Sequence, residues 1–143
     1  MPGEDKSIRA QPDIDRALVE SFIDSLRGRM NLSAVVVFGS RATGDNLEES
    51  DYDILVISPD FAKYNRFERV ELLLEAWPGL LPLEPVSMTP EEFAAAEGAL
   101  VWDILEEGIA VLDDGTFERK RRRHVERMKS GELRKGEGYW VFS

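Results

Sequence analysis

Cysteine is absent from the 143 residues, which excludes disulfides, thiolate nucleophiles and cysteine-ligated zinc. Histidine occurs once, as His124; no neighbour in sequence offers it a partner carboxylate, so a surface or packed histidine is expected. No apolar run approaches the ~20 residues that a membrane span needs. The polar start, residues 1–6, lacks the apolar centre of a secretory signal, so a cytoplasmic location without membrane attachment is the expectation. Repeats and low-complexity linkers are also missing. The chain is long enough for a real core, and one domain is expected.

What is plentiful is charge, and it is unevenly spread. Residues 1–116 carry 9 Lys/Arg against 24 Asp/Glu, whereas residues 117–143 carry 9 against 4, within a net charge of −10. An acidic body repels a phosphate backbone, which makes nucleic acid an unlikely ligand. The basic end reads either as a solvated helix on the body or as a docking element for an acidic partner.

Hydrophobic spacing divides the chain into a flexible leader (1–11), a central domain (12–115) and a basic C-terminal helix with a tail (116–143). Ile14, Leu18, Phe22 and Leu26 recur every four residues and predict a helix over 12–27, with Pro12 in its first turn. The β-branched run 34–38 predicts a central strand. Residues 62–77 predict an amphipathic helix, with Phe67, Val70, Leu73, Leu74 and Trp77 inward and Arg66, Glu68, Arg69, Glu71 and Glu75 outward. A third strand is expected within 80–88, at an edge or bulged because of Pro82 and Pro85. Thr89-Pro90-Glu91-Glu92 is a capping box that opens a helix. Residues 99–107 predict a helix with Gly108 as its C-cap, residues 109–112 a short strand, and Asp113-Asp114-Gly115 a turn. The aromatic tail 139–142 either folds back on the body or covers a partner.

The chemistry gathers in two neighbouring pieces. Val35-Val36-Val37-Phe38 ends at Gly39-Ser40, a turn able to offer backbone N–H groups and a hydroxyl to a phosphate. After an acidic loop, Ser50-Asp51-Tyr52-Asp53 begins a second strand. Alternation puts Asp51 and Asp53 on one face and Tyr52 on the other. Two carboxylates so close repel each other unless a cation lies between them, and magnesium is a hard cation that accepts carboxylate oxygens and keeps positions for phosphate. Glu84 is open to two readings, an exposed edge glutamate or a third acid facing this pair. Arg41 either adds positive charge against a triphosphate or makes a surface ion pair.

Gly39-Ser40, ten intervening residues, then Asp51-Tyr52-Asp53 with its apolar continuation resembles the signature of the nucleotidyltransferase superfamily typified by DNA polymerase beta. The fuller string from Phe38 to Gly44, with Ser50 to Val56, is similar to the minimal nucleotidyltransferase branch, whose members often pair with a helical HEPN-domain protein as antitoxin and toxin. The resemblance implies an α/β (α+β) fold, a mixed sheet whose first two strands are antiparallel, with packed helices. It implies transfer of a nucleoside monophosphate, AMP from ATP, to an acceptor hydroxyl with release of pyrophosphate. Gly39 and Ser40 would hold the β- and γ-phosphates, and Asp51 and Asp53 would ligate two magnesium ions (Mg2+). The third carboxylate would fall at Glu84, on the metal that activates the acceptor. The expected partner is a HEPN-type helical toxin; because the chain has no room for a separate substrate domain, that partner or a second copy in a homo-oligomer would complete the acceptor site. The alternative is a catalytically weak or inactive module that neutralises its partner by contact.

Overall fold

The computed structural model describes residues 11–143, so most of the expected leader lies outside the described residues. Six helices and six strands follow in the order α1 (Arg16–Arg27), β1 (Ala34–Phe38), α2 (Ser40–Thr43), β2 (Tyr52–Ile57), α3 (Arg66–Ala76), β3 (Leu83–Met88), α4 (Pro90–Ala95), α5 (Ala99–Glu107), β4 (Ile109–Asp113), α6 (Thr116–Ser130), β5 (Leu133–Gly136) and β6 (Tyr139–Phe142). A 3₁₀ turn over Pro59–Lys63 stands between β2 and α3.

The main sheet has the order β3-β2-β1-β4. β1 is antiparallel to both β2 and β4, while β2 and β3 run parallel across the α3 crossover. The mixed sheet with antiparallel first strands is therefore present. β1 is fully buried because both of its faces are covered. Val35 and Val37, with Tyr52, Ile54 and Val56, meet the Phe22, Leu26 and Leu73 side chains of α1 and α3. Ala34, Val36 and Phe38, with Leu55 and Ile57, meet Phe93, Val101, Ile104 and Phe117 of α4, α5 and α6. Two-sided burial explains the continuous apolar runs that these strands show in sequence.

Several expectations shift for identifiable reasons. α1 starts at Arg16 with Asp15 as its N-cap, accepting from the Leu18 N–H at 3.1 Å. Pro12 stays upstream, since the backbone N–H of Asp13 is donated to the Arg41 carbonyl at 2.8 Å. α3 is rotated from its sequence-based orientation. Arg69 points inward, donating to the carbonyls of Phe61 and Tyr64 and to Glu92 at 2.8 Å, while Phe67, Val70 and Leu74 are exposed. Gly108 ends α5 at φ −64°, so it is not a left-handed cap. A Cβ there would collide with the Ile104 carbonyl and with Val36, so a close helix-to-sheet approach requires glycine.

The Thr89–Glu92 capping box forms with both reciprocal bonds. Asp113 and Asp114 accept from the first N–H groups of α6, a capping role that agrees with the turn reading. The tail folds back on the body as the β5–β6 hairpin. Its Trp140 donates to Asp103 on α5 at 2.9 Å and packs against Trp102 and His124, and Leu133 is fully buried. His124 is packed as well, but not alone: Glu106 of α5 lies 2.8 Å from Nε2.

Candidate active site

The acidic centre sits where β1 turns into α2 and where β2 and β3 begin. Asp53 is opposite Phe38 on one side and in register with Glu84 on the other. Parity along the strands puts Asp53 and Glu84 on the α4–α6 face, together with Leu55, Val86, Ile57 and Met88. Asp51 immediately precedes β2 rather than opening it, and is half-buried.

Pro82 and Pro85 leave Glu84 in place. The Pro82 carbonyl accepts from the Tyr52 N–H at 2.9 Å, and at the far end Met88 accepts from the Ser58 N–H at 3.1 Å. In a parallel ladder alternate residues bond to the neighbouring strand, so even-numbered positions of β3 face β2. Pro85 thus falls at an outward position, where no ladder bond is lost.

Burial and the nearby carboxylates of Glu84 and Asp51 push the Asp53 pKa up to about 6, with Glu84 in hydrogen-bonding reach of it. Desolvation is the largest cause, and like-charge repulsion adds to it. Asp53 in turn explains Gly39. At φ 69° and ψ −152° the backbone takes a conformation that is essentially glycine's own, and a Cβ at this position would overlap the Asp53 carboxylate. Gly39 therefore makes the turn and also clears the space in which Asp53 stands. The Ser40 hydroxyl, half-buried at the start of α2, has no protein partner among the described residues.

Arg41 is turned the other way. It is 4% exposed; Nη1 donates to Asp13 at 3.1 Å and Nη2 to the carbonyls of Glu48 and Ser50, each at 2.9 Å. The guanidinium also stacks over the Tyr52 ring at 4.6 Å. Its charge fastens the acidic loop and the segment before α1, rather than facing the space beside Ser40. Asp13 and Asn46 complete the clamp, their side chains bonded at 2.8 Å. Asn65, at the N-cap of α3, and Tyr52, whose hydroxyl accepts from the Asp15 N–H at 3.0 Å, are similarly structural.

Among the described residues, no three acidic or histidine side chains already form a cage for one metal ion. The donor set nonetheless fits a hard divalent cation: carboxylate oxygens on adjacent strands, mutually repelling, beside an unengaged hydroxyl.

The sequence model of the nucleotidyltransferase domain matches residues 19–111. The chain belongs to this family. The match runs from within α1 into β4 and so contains Gly39, Ser40, Asp51, Asp53 and Glu84. No curated protein matches the chain significantly in sequence. Among solved structures, the nucleotidyltransferase domain resembles a nucleotidyltransferase-type protein from Sulfolobus solfataricus at 22% identity, with a TM-score of 0.53 over 69% of this chain and 80% of that one. A toxin–antitoxin structure with AMP-PNP gives 19% identity and a TM-score of 0.58, over 83% and 90% of the two chains. The toxin–antitoxin pair MntA–HepT gives 19% and 0.52, over 82% and 92%. At these identities the likeness speaks to the fold.

The clamp around Arg41 escaped the sequence reading, because an arginine after a Gly-Ser turn looks the same whether it faces a ligand or the chain. The available signal was the acidic stretch 45–53, whose repulsion calls for an internal cation.

Proposed function

We propose that this nucleotidyltransferase transfers AMP from ATP, with magnesium, to a hydroxyl on a helical HEPN-type toxin, acting as its antitoxin in the cytoplasm. The observation that carries the reading is the register of Asp53 with Glu84 beside the Gly39–Ser40 turn. The toxin–antitoxin structures of similar fold, one of them with AMP-PNP, support the choice of nucleotide and partner class.

The Gly39–Ser40 turn offers backbone N–H groups and a free hydroxyl to the β- and γ-phosphates. Asp51 and Asp53 are the magnesium ligands, with Glu84 as third carboxylate. Bound magnesium would neutralise the triphosphate and acidify the acceptor hydroxyl. Transfer forms a bond from the acceptor oxygen to the α-phosphorus and breaks the bond from that phosphorus to the bridging oxygen, so pyrophosphate leaves. In this reading Glu84, exposed at the strand edge, takes the acceptor's proton.

Purified chain mixed with ATP, magnesium and its toxin partner should add the mass of AMP to that partner. Asp53→Ala should abolish the gain and Glu137→Ala should preserve it. Undiminished transfer by Asp51→Ala/Asp53→Ala would refute the site. Neutralisation without any mass gain would point instead to inhibition by contact.

A further inference from the structure

The exposed face of α3 is the least expected surface of the protein. Phe67, Val70 and Leu74 are 73%, 38% and 48% exposed, and they form an i, i+3, i+7 stripe on the solvent side of the helix. Burial of Arg69 turned the stripe outward, so it is a consequence of how α3 is fastened. Across the free edge of β3 stands Leu100 of α5, 50% exposed. Between these walls lies a mostly apolar groove of about 380 Å³ that runs over Pro85 to Met88 of β3 between Val70 and Leu100, with Arg66, Ser87 and Glu92 as its polar lining. Scattered apolar residues need no explanation, whereas a stripe continuous with an apolar groove marks a binding surface.

Three features choose the occupant. Pro85 holds an outward ladder position and offers no N–H, so a strand added to this edge would lack a bond at its centre. A helix needs no such bond and can set apolar side chains into the groove. The charges on the elements that build the groove are one-sided. On α3, β3 and α4, Glu68, Glu71, Glu84 and Glu91 are in no ion pair among the described residues, against one unpaired cation, Arg66, which lines the groove; Arg69, Glu75 and Glu92 are already paired. The groove also begins one residue beyond Glu84, so whatever lies in it runs up to the acidic centre.

We infer that the groove between α3 and α5, over the β3 edge, receives an amphipathic helix of the acceptor protein, apolar on the docked side and flanked by lysine or arginine. The helix sets the register in which a hydroxyl reaches Glu84. This inference rests on the proposed transfer reaction for its acceptor, but its docking surface is separate from the nucleotide site.

The probe is a fluorescent synthetic helix with leucines at i, i+3, i+4 and i+7 flanked by lysines, and a twin flanked by glutamates. Anisotropy titrations should show the lysine helix binding the full chain about tenfold or more tighter than its twin. Val70→Asp and Leu100→Asp alter exposed side chains and should keep the wild-type melting temperature. Each should weaken the lysine helix about tenfold or more while leaving Mg-ATP affinity unchanged. Equal binding of the twin, or unaltered binding by both variants, overturns the inference. Light scattering that shows a dimer dissociated by Val70→Asp also overturns it, in favour of a second copy as occupant. Loss of Mg-ATP binding in the wild-type chain with helix binding intact refutes the transfer reaction instead and leaves the docking surface standing.

Discussion

Toward one end of β3 a carboxylate meets an arginine, and at the other it meets a carboxylate. Glu92, at the start of α4, takes both the Arg69 guanidinium at 2.8 Å and the Thr89 N–H at 2.8 Å, and these contacts hold its pKa below the usual glutamate value. Asp53 stands in register with Glu84, with Asp51 nearby, and its pKa is raised to about 6. The chain therefore knows how to satisfy a carboxylate beside this strand and leaves one group unsatisfied. A folded protein that concentrates like charge at one spot accepts a loss of stability there, and such spots are where external cations and phosphates bind. Arg41 sharpens the contrast, since it is spent on fixing the loop before Asp51 rather than on neutralising the acids.

The comparison can be broken by exchanging the two behaviours. Removing the unsatisfied group should cost function and spare the fold. Asp53→Ala should lower nucleotidyl transfer roughly 10²–10³-fold or more, with a melting temperature at pH 8 no lower than wild type. A large drop in melting temperature would mean that Asp53 is a structural group after all. Removing the satisfied partner should do the reverse. Arg69→Met strips the Phe61 and Tyr64 carbonyls of a donor and Glu92 of its counter-ion, and should destabilise the chain by about 2–3 kcal/mol in denaturant titrations.

Gly39→Ala touches both regions of the argument at once. The strained backbone alone should cost about 1–3 kcal/mol, and the displaced Asp53 carboxylate should weaken magnesium binding in calorimetric titration. Magnesium affinity equal to wild type would show that Asp53 has room to move.

The smallest effect is in pH. Because the folded pKa of Asp53 lies above the ordinary aspartate value of 3.8, the native chain binds a proton that the unfolded chain has released between that value and about 6. The contribution of this group to stability is therefore best at low pH and declines as pH rises through about 6. Asp53→Asn should flatten that part of the melting profile. Under the proposed function magnesium competes with the same proton, so its affinity should fall as pH drops below about 6 and lose this dependence in the variant.

Much of the fold was legible because its signals are local. β1 was read as 34–38 and α5 as 99–107, since a short β-branched run and an uninterrupted helical period each carry their own boundaries. Thr89 and Glu92 lie three residues apart and close their box without help from the rest of the chain. The nearness of Asp51 to Asp53 is local as well, although Asp51 lies just outside β2 and its face is not set by strand alternation. The rotation of α3 was not legible, because hydropathy ranks Arg69 outward and cannot count the carbonyls of Phe61 and Tyr64 that await it. His124 looked partnerless because Glu106 is 18 positions away and comes near only when α6 lies on α5. That packing, together with the buried Phe117 and Leu133, also makes the basic end part of the folded body, so cutting at 116 would expose core.

The sequence by itself determined the strand that ends in a glycine-serine turn, the pair of acids that follows it and the family to which they belong. Each of these depends on residues within a few positions of one another, where geometry is fixed by the backbone. Only the tertiary structure decided that Glu84 joins Asp53 despite two prolines, that Arg41 serves the loop, and that an apolar stripe of α3 is left facing solvent. Those outcomes depend on which distant groups compete for the same charge or hydrogen bond, and that competition exists only once the chain has closed on itself.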